Sequence, residues 1–265
     1  GWYLLLTGLS LIILFPVWMT IVRALSEPFI YIEEGQPLYP VSIDWGVFST
    51  AWSDGDLGRS MALTLLVTAI ITVFQLVTSV LAAYSFAFVR FPFKNTLFIL
   101  LLASLLLPVE VTLIANVRTI RELGWLDSAQ GLSAPFLASA FGIFLIRQGF
   151  LGVPSELRDA ARIDGFGHFA FLRRVAIPVN RPIIASLTLI TALAAWNQYL
   201  WPRTATTQER WETIQVTLRS ISVQRPERFN VGVAAAIIAS LPILALLVVF
   251  QRQIIRGLTA GAVKG

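Results

Sequence analysis

The sequence predicts an all-α membrane protein with six transmembrane helices, and two observations carry that prediction. Of 265 residues, 56% are hydrophobic and only 13% charged, with a mean hydropathy of +0.75. A soluble domain has about 25% charged residues. So few charges cannot cover a water-facing surface, so much of the exterior must meet lipid and a soluble fold is excluded. The apolar residues also fall in long continuous runs rather than short alternating strands, which selects helices over a β-barrel.

A spanning helix needs about 20 apolar residues. Segments 2–25, 61–89, 96–117, 132–151, 183–201 and 231–250 meet that length. Pro16, Pro108, Pro135 and Pro242 lie inside them and predict kinks, which neighbouring helices make tolerable by re-satisfying the freed carbonyls. Segment 2–25 is followed by no small-residue cleavage pattern and reads as a retained helix, not a signal peptide. Because the chain opens on Gly1 rather than Met, further residues are expected before it. Residues 1–265 read as a single transmembrane domain without internal repeats or low-complexity tracts.

Several chemistries are excluded by composition. There is no cysteine, hence no disulfide framework and no thiolate site. The single histidine, His168, excludes a multi-histidine metal site and reads as a packed or solvated loop residue rather than a proton relay. No nucleophile–base or metal constellation lies in the spans, so no catalytic residue, cofactor or metal is expected. A net charge of +5 is accounted for by membrane topology without a nucleic-acid partner. A secondary transporter remains an alternative, although inverted repeats and paired unwound helices are not found.

Basic residues in the connections set the orientation. One side carries Arg90, Lys94, Arg147, Arg158, Arg162, Arg173, Arg174, Arg181, Arg252, Arg256 and Lys264, against only Glu156, Asp159 and Asp164. The other carries Arg59, Arg118, Arg121, Arg203, Arg210, Arg219, Arg225 and Arg228, offset by acids including Glu27, Glu33, Glu34, Asp44, Asp54 and Asp56. The first side is expected to be cytoplasmic, with both termini on it.

The longest inner connection reads VPSELRDAARIDGFGHFAFLRRVAIPVNRP from Val153 to Pro182. Ser155 is placed to cap a short helix with Glu156 and Asp159 near its positive end. Gly165 and Gly167 are expected to break that helix through φ > 0. A second helix over 166–176 is then stopped by Pro178 and Pro182. Small side chains at Ala160 and Ala161 would let a partner surface approach closely. The residues alone equally allow an amphipathic helix lying on lipid.

DAARIDG, with a proline thirteen residues beyond its glycine (Gly165 to Pro178), resembles the EAA motif of bacterial ABC-importer permeases. Asp159 stands where that family usually has Glu. The tail GLTAGAVKG (257–265) is similar to that of carbohydrate-type permeases of the maltose-transporter second-subunit kind. LPVEV, FLIRQGF and WNQYLWP look like the second permease subunit of glycerol-3-phosphate importers. The resemblance runs from Met61 onward and is weak over 2–60. It implies a type I ABC importer with a cytoplasmic coupling segment over 153–178, formed by Ser155, Glu156, Asp159, Ala160, Ala161, Asp164, Gly165 and Pro178. The implied partners are a homologous second permease subunit, two copies of an ABC ATPase holding ATP and Mg, and an extracytoplasmic solute-binding protein. Consistent with ATP bound elsewhere, the sequence has no G-x-x-x-x-G-K-[ST] phosphate loop.

Six residues are candidates for the solute pathway. Glu110 is an intramembrane carboxylate, functional by default, or else an ion-pair partner of Arg118 or Arg121. Trp196, Asn197, Gln198 and Tyr199 combine ring faces and amides suited to a polyol, or belong in part to an interfacial aromatic belt. Gln75 sits mid-helix in an apolar run, as pathway or as an interhelical bond. The basic outer loop 203–228 is expected to be a landing surface for an acidic lobe of the binding protein, a funnel for an anionic solute, or a solvated loop.

Overall fold

Backbone groups in lipid must find partners within the chain, and this sequence satisfies that demand with helices throughout. In the computed structural model, residues 2–224 and 226–262 are described, with the backbone alone at 109 and 252–262; among them there is no β-strand. Helices over 2–25, 57–88 and 226–251 are long and apolar enough to cross a membrane, and three bent pairs raise the number to as many as six if each pair is one span. The chain divides into two compact units, Gly1–Thr64 with Gln208–Leu244, and Leu65–Thr207 with Ala245–Gly265.

In the first unit, α1 (Trp2–Leu25) exposes apolar side chains along nearly its whole length and buries only Val22, Ala24 and Leu25 at its end. Ser26 turns the chain there: its hydroxyl donates to the Val22 carbonyl at 2.7 Å and accepts the Val41 N–H at 3.2 Å. Glu27 then caps α2 (Pro28–Glu33), accepting the Ile30 N–H at 2.8 Å. Tyr31 packs with Val22 and Val41, and Phe229 closes this small core. After α3 (Val47–Asp54), a tight turn at Gly55 starts α4 (Leu57–Phe88).

In the second unit the C-terminal carbonyls of α4, which lack helical partners, are met by cations as the helix dipole favours. Lys94 donates to the Val89 carbonyl at 3.0 Å, and Arg147 Nε to that of Phe86 at 3.2 Å. The Arg147 guanidinium also lies 4.1 Å from the Phe98 ring centroid. Arg147 thus caps α4 while stacked on an aromatic ring. Lipid offers no hydrophobic drive between helices, so small residues and close packing do this work. A Cβ on Gly142 would sit 2.5 Å from Ser79 Oγ.

The later spans are less regular than the sequence predicts. Segment 96–117 is not one helix. It consists of α5 (Lys94–Ala103) with a 3₁₀ turn Ser104–Leu106, then α6 (Val109–Glu122), bent by 100°. The cause is Pro108, whose ring disfavours helical geometry in the residue before it. Leu107 is accordingly extended at φ −83°, ψ 116°. Segment 132–151 splits likewise into α7 (Ala129–Ser133) with a 3₁₀ turn Ala134–Phe136, and α8 (Ala140–Leu151), whose first turn Ser139 caps. The pair is bent by 49°.

The chain continues through α9 (Ser155–Ile163), α10 (His168–Phe171), a π turn Leu172–Ala176 and α11 (Ile177–Val179). Then come α12 (Arg181–Trp196), α13 (Leu200–Ala205), α14 (Ile214–Gln224) and α15 (Phe229–Ala262). Segment 183–201 thus breaks after Trp196. Pro16 and Pro242 lie inside α1 and α15 without ending them. Residues 263–265 of the GLTAGAVKG tail, and the side chains of its remainder, lie outside the described residues, as do Arg225 and Lys264 and the side chains of Arg252 and Arg256.

Candidate functional site

The segment 153–178 folds as an exposed helix hinged onto an aromatic core. α9 carries Glu156 in its first turn, and Asp159 pairs with Arg162 at 3.6 Å, an exposed contact of the kind that contributes little. Ser155 is not the cap: Pro154 occupies that position, no side chain caps the helix, and Ser155 is the first helical residue. A proline preceding the first turn fixes φ and leaves the serine one position too late. Ala160 is exposed but Ala161 is buried at 5%, so only one of the two small residues can admit a partner. Ala161 instead packs on the chain's own aromatics.

Asp164 closes α9, its N–H bonding the Ala160 carbonyl at 2.9 Å. Gly165 follows at φ +75°, the left-handed region that glycine enters without penalty. Gly167 does not share that role. At φ −72°, ψ 173° it is ordinary extended backbone and precedes α10. Behind the elbow, Tyr84, Phe88 and Phe171 line a cleft of about 230 Å³, with exposed Arg158, Arg162 and His168 along it. The Tyr84 hydroxyl lies 2.9 Å from His168 Nδ1, and Phe88 meets Phe171 edge-on at 5.3 Å. His168 is therefore an exposed residue held by a tyrosine partner. Sequence reasoning missed this aromatic base; the aromatic residues at 84, 86 and 88 were its only local sign.

Pro178 does not stop the second helix. The helix widens ahead of it into a π turn, in which the Ile177 N–H reaches the Leu172 carbonyl. The wider turn accommodates a proline that has no N–H and whose ring would otherwise strike the carbonyl four residues back. Helicity ends at buried Asn180, where the axis turns by 79° into α12. Asn180 Nδ2 donates to the Ala176 carbonyl at 2.9 Å. Gly149 of α8 seats this corner: a Cβ there would overlap Asn180 Oδ1 and lie 2.6 Å from Ile183 Cδ1. Neither Gly149 nor Asn180 stands out in the sequence.

The pathway candidates are placed differently from one another. Glu110 is exposed in the first turn of α6, where its charge complements the helix dipole. Arg118 pairs with Glu122 at 2.8 Å rather than with Glu110. Gln75 is half-buried and joins three elements: Nε2 donates to the Phe136 carbonyl at 3.2 Å, and Oε1 accepts from Thr191 Oγ1 at 2.6 Å. That is the interhelical role. Trp196 is only 2% exposed, so it offers no ring face to a solute and is corrected to a core residue. Asn197 is exposed and donates to the Leu193 carbonyl at 2.9 Å, while Tyr199 is 40% exposed. Gln198 is half-buried, with Oε1 buried and without a hydrogen-bond partner. The indole N–H of Trp201 reaches the Gly131 carbonyl at 3.2 Å, and that ring is buried.

The loop 203–228 is less one-sidedly basic in space than along the chain. Arg210 lines a cleft in the first unit together with Asp54, Asp56, Glu209 and Glu212. Arg219 is exposed.

Long apolar helices, bent helix pairs and an exposed hinged helix are features that suit a membrane transport subunit. Residues 8–260 match the family described as binding-protein-dependent transport system inner membrane component. The chain belongs to that family, that of ABC importer permease subunits, which are not enzymes themselves; a secondary transporter is thereby set aside. It is 35% identical over 97% of its length to the sn-glycerol-3-phosphate transport system permease protein UgpE of Rhizobium meliloti (strain 1021), covering 94% of that protein. It is 35% identical to the UgpE of Yersinia enterocolitica serotype O:8 / biotype 1B (strain NCTC 13174 / 8081), covering 94% of this chain and 91% of the relative. In fold it is similar to a chain of a bacterial ABC transporter involved in the import of the acidic polysaccharide alginate. That match has a TM-score of 0.81 at 24% identity and covers 94% of each chain. A bacterial alginate ABC transporter in complex with a pentasaccharide-bound periplasmic protein matches with a TM-score of 0.66 at 16% identity, over 96% of this chain and 95% of that one.

Proposed function

We propose that this chain is one half of the pore of a type I ABC importer, crossing the inner membrane six times as a single permease domain with both termini in the cytoplasm. A homologous second permease subunit forms the other half. Two copies of an ABC ATPase bind ATP and Mg, and an extracytoplasmic binding protein delivers the solute. The solute is carbohydrate-like, a class that includes glycerol 3-phosphate, glycerophosphodiesters, sugars and amino sugars; the UgpE relatives favour the first. Glu110, Asn197, Gln198 and Tyr199 are the residues best placed to meet it, and Gln75 holds the helices around it.

The observation that carries the reading is the Gly165 elbow at φ +75°. It sets an exposed helix, α9, on a packed aromatic base, so that force applied to Glu156, Asp159 and Ala160 passes to the helices bearing Tyr84, Phe88 and Phe171. The basic excess on that side supports a cytoplasmic placement. The test is co-purification with the cognate ATPase. Asp159→Arg reverses the charge at an exposed position and is expected to reduce ATPase recovery about fivefold or more, a loss on the scale of a charge-assisted hydrogen bond. Asp159→Glu is expected to leave recovery unchanged. Equal recovery of both variants would place α9 on lipid instead.

A further inference from the structure

The chain between α2 and α3 doubles back along the span it has just left. The Asp44 N–H bonds the Leu25 carbonyl at 3.0 Å, and the Val41 carbonyl accepts the Glu27 N–H at 3.2 Å. Val41 is buried against Val22 and Tyr31, with its own N–H on Ser26 Oγ at 3.2 Å. Nearer the middle of the span, the Leu38 carbonyl accepts the indole N–H of Trp18 at 2.8 Å. These contacts follow α1 from Leu25 back to Trp18, so at about 1.5 Å per residue the loop descends the helix wall by about 10 Å. The wall it descends is the exposed apolar surface of the span.

The descending loop has the composition of a segment that meets lipid rather than water. No residue between Glu34 and Asp44 is charged. Leu38, Tyr39 and Ile43 are apolar or aromatic and exposed. Pro37 and Pro40 have no N–H to leave unpaired, while the Val41 N–H and the carbonyls of Leu38 and Val41 are taken by the contacts above. Lipid cannot satisfy backbone groups, so such a loop can stand where water is scarce. Acids return at once on either side, with exposed Glu33 and Glu34 before the turn at Gly35 and Gln36, and Asp44 at the level of Leu25. Rings with a polar tip collect at the boundary between headgroups and acyl chains, and Trp18 and Tyr39 are such rings.

We propose that residues 35–43 form an interfacial loop, which rests in the boundary between phospholipid headgroups and acyl chains at the C-terminal end of α1. Its occupant is phospholipid: the loop continues the lipid-facing surface of a membrane span, and its charges stop where the descent begins.

The chain has no cysteine, so single labels can be placed in it. Leu38→Cys, Tyr39→Cys and Glu33→Cys, all at exposed positions, are each labelled with an NBD fluorophore. The importer is assembled in nanodiscs with partner subunits lacking cysteine. Two quenchers are compared: iodide from the water, and a phosphatidylcholine bearing a nitroxide near the top of its acyl chain. The labels at 38 and 39 are expected to lose iodide quenching and to be quenched by the nitroxide lipid. The label at 33 is expected to keep iodide quenching. Iodide quenching at 38 and 39 equal to that at 33 would return the loop to water and overturn the proposal. Shielding of both labels from both quenchers would place a protein subunit over the loop and overturn it equally.

Discussion

Gly165→Val is expected to abolish most uptake while leaving the protein in the membrane. Gly165 lies at φ +75° with nothing within 4 Å of where a Cβ would stand, so the damage comes from the backbone and not from crowding. A β-branched residue at that φ is a true outlier, with strain of about 1–3 kcal/mol. Relieving it requires the chain to leave the left-handed region, which re-aims α9 relative to the Tyr84–Phe88–Phe171 base. If coupling needs that aim, the competent state falls by roughly 5- to 150-fold. Asn tolerates the left-handed region better than other non-glycine residues, and the space there is open. Gly165→Asn should therefore retain most uptake. The measurement is binding-protein-stimulated ATPase activity and solute uptake, normalised to the chain recovered in membranes. Equal uptake by the Val and wild-type proteins would remove the elbow from the coupling mechanism.

The sequence made some of these features legible because they are local. Hydropathy is summed over neighbours along the chain, so α1 was predicted to its ends and α4 to within four residues at its start. Gly165 was legible for the same reason: an amphipathic helix ending in Asp-Gly leaves few alternatives to a left-handed residue. Features that depend on what lies across a contact were not legible. Ala160 and Ala161 are identical in type, and only packing against Tyr84 and Phe171 decides that the second is covered. Trp196 looked like a sugar platform by residue type, and its burial follows from where α12 lies in the unit. The prolines showed where helices would be disturbed but not how. Pro108 gives a 100° bend, whereas Pro178 is absorbed by a π turn. The outcome in each case depends on whether neighbouring carbonyls find other donors, and that is tertiary information.

The elbow at Gly165 has a counterpart at the other end of the segment, where Gly149→Val is expected to be the most damaging single change in α8. Asn180 turns the chain by 79° and is 4% exposed. Its backbone N–H bonds the carbonyls of Ala176 and Ile177 at 3.2 and 3.1 Å, and its own carbonyl accepts the Ile184 N–H at 3.0 Å. The corner thus joins the last turn before the bend to the first turn of α12, and Gly149 is what it rests on. A side chain at 149 must displace Asn180 Oδ1, which breaks the Nδ2 bond to Ala176, or else push α8 away from Ile183. Overpacking of this kind costs about 1–3 kcal/mol, and the loss of a buried hydrogen bond adds about 1 kcal/mol. Because the corner lies between α9 and the span that carries Asn197 and Gln198, the defect should show in coupling as well as in stability. ATP hydrolysis should persist while its stimulation by the binding protein falls. A double-mutant cycle decides whether the contact is the cause. Removing the amide with Asn180→Ala weakens the corner by itself, yet it should relieve part of the clash in Gly149→Ala, so that the double variant is less impaired than the two single losses summed. Strict additivity in thermal midpoint and in stimulated ATPase activity would show that Gly149 and Asn180 act independently, and the corner would lose its place in the transmission from α9 to the pore.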